Sequence, residues 1–302
     1  MIFRNVAIIG LGLLGGSIGL AVREHLPELR TTGYDSDPAV RLRARERNLA
    51  NIVFDDPVEA VRDADLVILC VPVGAMGDAA RLIAPGLAPD TVISDVGSSK
   101  RSISDTLRAA LPDYAVIPAH PVAGTEHSGP DAGFATLFHQ RWCIVTPPAD
   151  VPPAAVSALV DFWETMGALV EVMDADHHDR VLAVTSHIPH LIAYTIVGTA
   201  SDLEEVTRSE VIKYSAGGFR DFTRIAASDP TMWRDVFLHN KDAVLEMLDS
   251  FLTDLALMRE AIRAGDGETM FDIFTKTRAI RRSIVALGQD DPRPDFGRED
   301  HE

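Results

Sequence analysis

The sequence predicts an α/β protein with a doubly wound parallel sheet in its first part and an all-α domain in its second. Two observations predict the sheet. A glycine-rich turn directly follows the short apolar run Val6–Ile9, and later apolar runs alternate with helical patterns, as in parallel sheets covered on both faces. A third observation predicts the second part, because long helical patterns with few strand signals begin at Asp174.

The glycine-rich turn has the spacing of a dinucleotide-binding site. Gly10 permits the tight turn, Gly12 lets the backbone approach a pyrophosphate, and Gly15 lets the following helix pack on the strand. The pyrophosphate is expected on the N–H groups of that helix N-terminus. The expected cofactor-binding residues of the turn are Gly10, Gly12, Leu13, Leu14 and Gly15. The simpler alternative is a glycine-rich turn without a ligand.

An acidic residue, Asp35, closes the second predicted strand, 20 residues after Gly15. A carboxylate here accepts hydrogen bonds from the adenosine ribose and repels a 2′-phosphate. The sequence therefore predicts NAD rather than NADP as cofactor. The alternative is that Arg41 folds back and accommodates the phosphate.

Further strands are predicted wherever a continuous apolar run occurs, and each is expected in the same parallel sheet. These runs are Leu66–Val71, Thr91–Val96, Ala115–Ile117, Trp142–Val145 and Leu169–Val172. In such sheets the ligand lies beyond the carboxyl ends of the strands. The residues expected at those ends, lining one crevice with Gly10, are Val71, Pro72, Gly97, Ser98 and His120.

The second half predicts helices over 176–199, 242–264 and 268–287, with a kink or break at Pro189. We place the domain division after residue 172, which gives a dinucleotide-binding domain (1–172) and a helical substrate and dimerisation domain (173–288). The acidic, proline-bearing stretch 289–302 predicts a disordered tail. We expect a homodimer, since a small helical domain of this kind commonly buries its apolar faces against a second copy.

Composition excludes several classes of partner. The net charge is −17, from 28 basic and 45 acidic residues, which disfavours nucleic acid and anionic membranes. No apolar run approaches the length of a membrane span, and the N-terminus lacks a secretory pattern. Cys70 and Cys143 are expected to be buried free thiols, and the protein to be cytoplasmic. Any anion site must be built locally from Arg and Lys.

Candidate chemistry in the first half centres on His120. A histidine at a strand end beside a crevice is suited to be a general base; the alternative is a structural histidine satisfied by backbone groups. Ser98 can hydrogen-bond at the same crevice or cap the following helix. Glu126 can orient a cationic side chain or be a solvated surface acid.

In the second half, Arg220 and Arg224 are four residues apart and share a face if the segment is helical. A pair of arginines suits a dianion; the alternative is salt bridges to nearby acids such as Asp221 and Asp229. His187 and His190 have no third ligand at suitable spacing, so no metal site is predicted.

Five motifs together resemble the prephenate dehydrogenase family, which includes arogenate and cyclohexadienyl dehydrogenases. The resemblance covers about residues 3 to 288. The motifs are Gly10-Leu-Gly-Leu-Leu-Gly15, Asp95-Val-Gly-Ser-Ser-Lys100, His120-Pro-Val-Ala-Gly-Thr-Glu126, Ser186-His-Ile-Pro-His190 and Gly218-Phe-Arg-Asp-Phe-Thr-Arg-Ile-Ala226. The resemblance implies NAD-dependent oxidative decarboxylation of a cyclohexadienol carboxylate in tyrosine biosynthesis.

The resemblance also implies roles for individual residues. His120 would accept the proton of the ring hydroxyl, Ser98 would hydrogen-bond that histidine, and Arg224 would hold a substrate carboxylate. His190 would lie in the substrate pocket. Less defined pocket or gating positions are Thr125, Glu126, Arg220 and Trp233.

Three alternatives remain open at this point. The sequence does not distinguish prephenate from arogenate as substrate. A β-hydroxyacid dehydrogenase would rely on a lysine, for which Lys213 is the nearest candidate. A non-enzymatic NADH sensor could use the same nucleotide site without needing a base and two arginines.

Overall fold

The structure is a computed structural model that describes residues 3–125, 127–202 and 217–286. Its first part contains a six-stranded sheet, and all the pairings within that sheet are parallel. The strands are β1 (Asn5–Ile9), β2 (Arg30–Tyr34), β3 (Ile52–Val53), β4 (Leu66–Leu69), β5 (Val92–Asp95) and β6 (Ala115–Val116). Their order, β3-β2-β1-β4-β5-β6, is that of a dinucleotide-binding doubly wound sheet. The predicted fold class is confirmed.

The sheet separates two apolar cores. Alternate residues of a strand point to opposite faces, so Ile8 and Ile68 join one core while Ile9 and Leu69 join the other. Helices cover these faces: α1 (Leu13–His25), α2 (Pro38–Glu46), α3 (Pro57–Val61), α4 (Met76–Ile83) and α5 (Arg101–Ala110). Burial on both faces explains why these strands appear in the sequence as continuous apolar runs.

Three further strands form a second sheet, separate from the six-stranded one. They are β7 (Ala119–Pro121), β8 (Trp142–Val145) and β9 (Leu169–Val172), with α6 (Pro153–Thr165) between β8 and β9. β7 pairs antiparallel with β8, and β8 pairs parallel with β9. The expectation that β8 and β9 continue the large parallel sheet is therefore wrong. The chain leaves that sheet after Ile117, whose N–H still bonds Ile93, and Pro118 then has no N–H to continue the ladder.

The helical part begins directly after β9. Its described helices are α7 (Ala175–Leu182), α8 (Ile188–Asp202), α9 (Gly217–Thr223), α10 (Pro230–His239), α11 (Lys241–Ala264) and α12 (Gly267–Ala286). A π-helical turn, Ala183–His187, joins α7 to α8. Helical geometry continues through Pro189, so the chain does not break there. The π turn lies immediately before it, and a wider turn is a common response where an i→i−4 bond is lost. Leu287, Gly288 and the predicted tail lie outside the described residues.

The continuous helical stretch Ala175–Asp202 is long and apolar enough to cross a membrane by length and composition alone, a property that it shares with core helices. This stretch also carries His178, Asp179 and Arg180 within its first turns.

Contacts divide the chain into two compact units, Met1–Met247 and Leu248–Glu302. The first unit contains both sheets together with α7 to α10. The second contains most of α11 and all of α12, and its large apolar side chains are widely exposed: Leu252, Leu255, Leu257, Ile262, Phe271, Phe274 and Ile280. The division predicted after residue 172 marks the change from sheet to helix and stays a prediction as a domain boundary.

Candidate active site

The glycine turn has the geometry that a pyrophosphate site requires. Gly10 has a φ of +101°, and a Cβ at Gly15 would lie 1.9 Å from the Gly10 carbonyl oxygen, so neither position admits a side chain. A Cβ at Gly12 would meet nothing within 4 Å. α1 then begins at Leu13 and continues through Leu14 without a side-chain cap or an acid in its first turn. Its first N–H groups therefore fit an anionic group.

Asp35 lies at the end of β2 beside this turn. Its carboxylate accepts hydrogen bonds from the Leu11 N–H at 2.8 Å and the Asp37 N–H at 3.0 Å. Arg41 donates to Asp55 at 2.8 Å and to the Asp35 carbonyl at 2.8 Å. Because these bonds tie Arg41 down, it would have to break them to reach a 2′-phosphate. Asp35 and Arg41 therefore fit NAD better than NADP.

The other predicted residues of the sheet edge follow β4 and β5. Val71 is half-buried and Pro72 is exposed. The backbone directly before Val71 packs against the glycine turn, because a Cβ at Gly10 would lie 2.7 Å from the Cys70 carbonyl oxygen. Gly97 donates its N–H to Asp95 at 2.7 Å. The structure thus brings Gly10 and Val71 to the same edge, with Gly97 following the adjacent strand β5.

His120 is 7% exposed and lies in the middle of β7, opposite Ile144. It was expected at the carboxyl end of a strand of the parallel sheet; it stands instead in the second sheet, just after the chain leaves β6. Its Nδ1 atom is 2.8 Å from Nε2 of His178. Its own Nε2 makes no hydrogen bond within the described residues and is not sealed from solvent. Burial lowers the pKa of His120 well below its usual value, with His178 and Lys100 contributing.

His178 and Asp179 lie in α7 and connect His120 to the start of α5. Nδ1 of His178 is 2.8 Å from Oδ1 of Asp179. The Asp179 carboxylate also accepts the N–H of Lys100 at 2.7 Å and of Arg101 at 3.0 Å. A negative charge at the first turn of a helix is favourable, so Asp179 caps α5 from a distant part of the chain.

Ser98 does not cap α5. The N-cap residue is Lys100, without a side-chain cap of its own, so the capping alternative for Ser98 is wrong. Ser98 is half-buried, and within the described residues its hydroxyl makes no hydrogen bond to His120, whose ring pairs with His178 instead. Its role toward a bound substrate stays a prediction.

A buried ion pair supports the same region. Lys100 Nζ donates to Asp95 at 2.5 Å and to the Ala119 carbonyl at 2.7 Å, and both ionic side chains have no exposed surface. Burial raises the pKa of Asp95 and lowers that of Lys100, and their mutual contact opposes both shifts. This pair fixes the backbone directly before His120.

The helical wall of the site contains a stacked pair. The rings of His190 and Trp233 are 3.6 Å apart at 24°, and Nδ1 of His190 is 2.8 Å from the Ser186 carbonyl. Burial lowers the pKa of His190, and the nearby charge of Arg224 adds to this effect. Trp233 is 6% exposed, and its Nε1 atom is sealed without a partner in the described part of the chain.

His187 joins the two groups of histidines. Its ring centroid is 6.1 Å from that of Trp233, and its Nδ1 accepts from Asn240 at 3.1 Å. Asn240 also donates to the Asp179 carbonyl at 2.8 Å. Burial lowers the pKa of His187 to about 4, with His178 and His190 among the charges that affect it. A continuous cluster therefore runs from His120 to Trp233.

The remaining predicted residues lie less centrally. Arg220 is exposed in α9, whereas Arg224 is exposed at the start of a 3-10 turn, so one regular helix does not carry both. Thr125 is exposed and exchanges hydrogen bonds with the backbone of His127 at 3.2 and 3.3 Å. Glu126 and Lys213 lie outside the described residues.

The sequence analysis missed His178, Asp179 and Asn240. All three are buried polar side chains. His178 and Asp179 lie in a stretch that the sequence predicts as amphipathic helix, and Asn240 lies just before the predicted helix 242–264. The one available signal was the acid directly after a histidine at the start of the first helix of the second half.

Comparisons with known proteins address the family. The family models described as "Prephenate dehydrogenase, nucleotide-binding domain" and "Prephenate dehydrogenase, dimerization domain" match residues 18–172 and 174–276. The chain belongs to the prephenate dehydrogenase family. The resemblance seen in the five motifs is confirmed.

Individual members of the prephenate dehydrogenase family match along most of their length. A cyclohexadienyl dehydrogenase of Zymomonas mobilis is 46% identical over 94% of this chain and 97% of its own length. A prephenate dehydrogenase of Bacillus subtilis is 33% identical over 97% of this chain and 79% of its own. The crystal structure of A. aeolicus prephenate dehydrogenase, solved with hydroxyphenyl propionate and NAD⁺, has a TM-score of 0.87 at 30% identity and covers 94% of this chain and 99% of that one.

Proposed function

We propose that this protein is an NAD-dependent dehydrogenase that oxidatively decarboxylates prephenate to 4-hydroxyphenylpyruvate in tyrosine biosynthesis. The observation that carries the proposal is the buried His120, whose Nδ1 atom is held by the imidazole of His178 while its Nε2 atom is left without a partner among the described residues. The names and high coverage of the relatives support the same reaction.

His120 is the general base of the proposed mechanism. Its Nε2 accepts the proton of the ring hydroxyl as the hydroxyl-bearing carbon gives up a hydride. The ring carboxylate then leaves as carbon dioxide, its bonding electrons make the ring aromatic, and the resulting phenolate takes the proton back from Nε2. Bound NAD supplies the hydride acceptor. Burial keeps the His120 imidazole neutral near physiological pH, which is the form a base needs.

Substrate binding is assigned to the helical wall. Arg224 lies close enough to His190 to affect its charge, and a guanidinium binds a carboxylate bidentately. The half-buried His190 ring, backed by the buried Trp233 stacked on it, offers one flat face to a six-membered ring. A local cation is needed because the chain as a whole carries a net charge of −17 and repels an anionic substrate.

The cofactor-binding residues are assigned to the sheet edge. The pyrophosphate would lie on the turn Gly10–Gly15 and the adenosine ribose at Asp35, with Val71, Pro72 and Gly97 lining the approach to the nicotinamide. Ser98, Thr125, Glu126 and Arg220 keep the supporting roles that the family resemblance implies.

The direct test is an assay at 340 nm with purified protein, NAD⁺ and prephenate. We expect NADH formation, and we expect His120→Asn to lower kcat by about 10²- to 10⁴-fold, the usual effect of losing a general base. His25→Asn, at an exposed position in α1, is the matched control and should keep the wild-type kcat. A near-wild-type kcat in His120→Asn would remove this histidine from the mechanism.

Two alternative functions give different results in the same assay. A β-hydroxyacid dehydrogenase would lose activity on its own substrate in Lys213→Ala but keep it in His120→Asn. An NADH sensor would bind the nucleotide and form no NADH with prephenate. Arogenate is a second candidate substrate, which the sequence does not distinguish from prephenate; kcat/KM measured side by side decides between the two.

We further propose that the protein is a cytoplasmic homodimer. The matched "dimerization domain" spans residues 174–276, and the exposed apolar side chains of α11 and α12 supply a surface that a second copy would cover. Light scattering after size exclusion should give twice the chain mass of 32.8 kDa. A mass of one chain at micromolar concentration would refute the dimer.

A further inference from the structure

The buried network behind His120 determines which nitrogen of its ring carries the proton. Asp179 is the fixed end of this network, because each of its two carboxylate oxygens accepts a backbone N–H at the start of α5. The carboxylate therefore faces His178 as an acceptor. Nδ1 of His178, 2.8 Å from that carboxylate, must be the protonated nitrogen.

The same reasoning passes to the next ring. A neutral imidazole with a proton on Nδ1 has its lone pair on Nε2. Nε2 of His178 is 2.8 Å from Nδ1 of His120, so Nδ1 of His120 must donate. The opposite tautomer would place two lone pairs, or a lone pair and a carboxylate, against each other in a site where His178 has no exposed surface.

We propose that His178 and Asp179 are positioning residues that hold His120 with its proton on Nδ1 and its lone pair on the accessible Nε2. This inference rests on the proposed function for the use of His120 as a base. When Nε2 accepts a proton, the Nδ1–H bond to His178 remains, and the carboxylate beyond it faces the new positive charge. No other bond forms or breaks in the network.

Other titratable groups border these two rings, and the substitutions described below leave them unchanged. Lys100 and Asp95 approach from the end of β5 and the start of α5, and His187 approaches from the π turn. Burial lowers the pKa of both His178 and His120, which agrees with two neutral rings joined by one hydrogen bond.

Two substitutions separate the hydrogen bond from the packing. His178→Phe keeps a ring in the buried space but removes the acceptor for the Nδ1–H of His120. His178→Gln offers an amide oxygen as a replacement acceptor. His177 precedes it on α7 and is exposed, so His177→Phe and His177→Gln are matched controls that should behave as wild type in both readouts.

The first readout is ¹⁵N NMR of the histidine rings in the NAD-free protein, with the His120 signal identified by its loss in His120→Asn. We expect the wild-type His120 to be protonated on Nδ1 and His178→Phe to show both tautomers. A wild-type His120 protonated on Nε2 would overturn the proposal. Because this readout needs no substrate, it stands even if prephenate proves not to be the substrate.

The second readout is steady-state kinetics. We expect His178→Phe to lower kcat by about 10- to 100-fold, the effect seen when a group that orients a metal-ligating histidine is lost, with unchanged KM for NAD⁺ and prephenate. His178→Gln should recover part of that loss. Equal kcat values in the Phe and Gln variants, or a wild-type kcat in the Phe variant, would contradict the proposal. If His178→Phe does not fold, the wild-type tautomer and the Gln variant decide.

Discussion

Replacing Lys100 with methionine tests the buried ion pair directly. The substitution keeps the apolar stem and removes the ammonium that bonds Asp95 and the Ala119 carbonyl. Asp95 would retain the N–H of Gly97 at 2.7 Å and of Ala119 at 3.3 Å but would be a buried charge without a counter-ion. Breaking one half of a buried pair costs about 3–5 kcal/mol.

The expected loss can be measured by urea unfolding at fixed protein concentration, with the midpoint and slope fitted together. A loss of that size corresponds to a decrease in Tm of about 6–20 °C for a chain of this class. Asp95→Asn combined with Lys100→Met removes both charges, and it should recover more than half of the lost stability.

The pH dependence of the free energy of unfolding is an independent check on the same variant. In Lys100→Met, burial without the ammonium raises the pKa of Asp95 further above its unfolded value. The folded state then binds a proton that the unfolded state releases, so the stability deficit should shrink as pH falls toward the unfolded pKa and grow as pH rises through the folded one. A single variant within about 1 kcal/mol of wild type, or a double variant no more stable than the single, would refute the reasoning.

Three further outcomes follow from the cofactor and substrate residues. Gly12→Ala should fold normally and bind NAD at least about tenfold more weakly. Gly15→Ala, with its methyl 1.9 Å from a backbone oxygen, should lose about 1–3 kcal/mol of stability by urea unfolding. Gly198→Ala, where a Cβ meets nothing within 4 Å, should keep both the wild-type NAD affinity and the wild-type stability. Asp35→Ala should narrow the kcat/KM preference for NAD over NADP by about tenfold, since two charges near 4 Å interact by about 1–4 kcal/mol, and an unchanged ratio would contradict the assignment. Arg224→Ala should raise the KM for prephenate by the equivalent of about 2–4 kcal/mol; an unchanged KM would show that the carboxylate binds elsewhere.

The parallel sheet could be predicted because its burial is visible in composition. A strand covered on both faces, such as β4, must be apolar at every position. The second sheet could not be separated from the first on that ground. Residues Cys143–Val145 of β8 are as buried as those of β4, and whether a strand pairs parallel or antiparallel is decided by where the chain turns, not by the residues that are buried. β3, with two residues, is too short to give a pattern.

The site residues also fall into those that the sequence predicts and those that it does not. The glycine turn and Asp35 are set by local backbone geometry, so spacing alone predicts them. His178 and Asp179 depend on where α7 docks. Their segment has the composition of a solvated helix start, and its Asp176 forms an exposed ion pair with Arg101 of α5. A buried polar network of this kind is specified by tertiary contacts between distant segments, which a local pattern does not record.

Asp179 links elements on both sides of the change from sheet to helix, within the first compact unit, Met1–Met247. Its side chain caps α5, which belongs to the nucleotide-binding part, while its backbone carbonyl accepts from Asn240 near the start of α11. Leaving either set of groups buried and unpaired would cost free energy, so Asp179 ties the start of α5 to the start of α11. The contacts behind His120 therefore also join the two halves of the sequence.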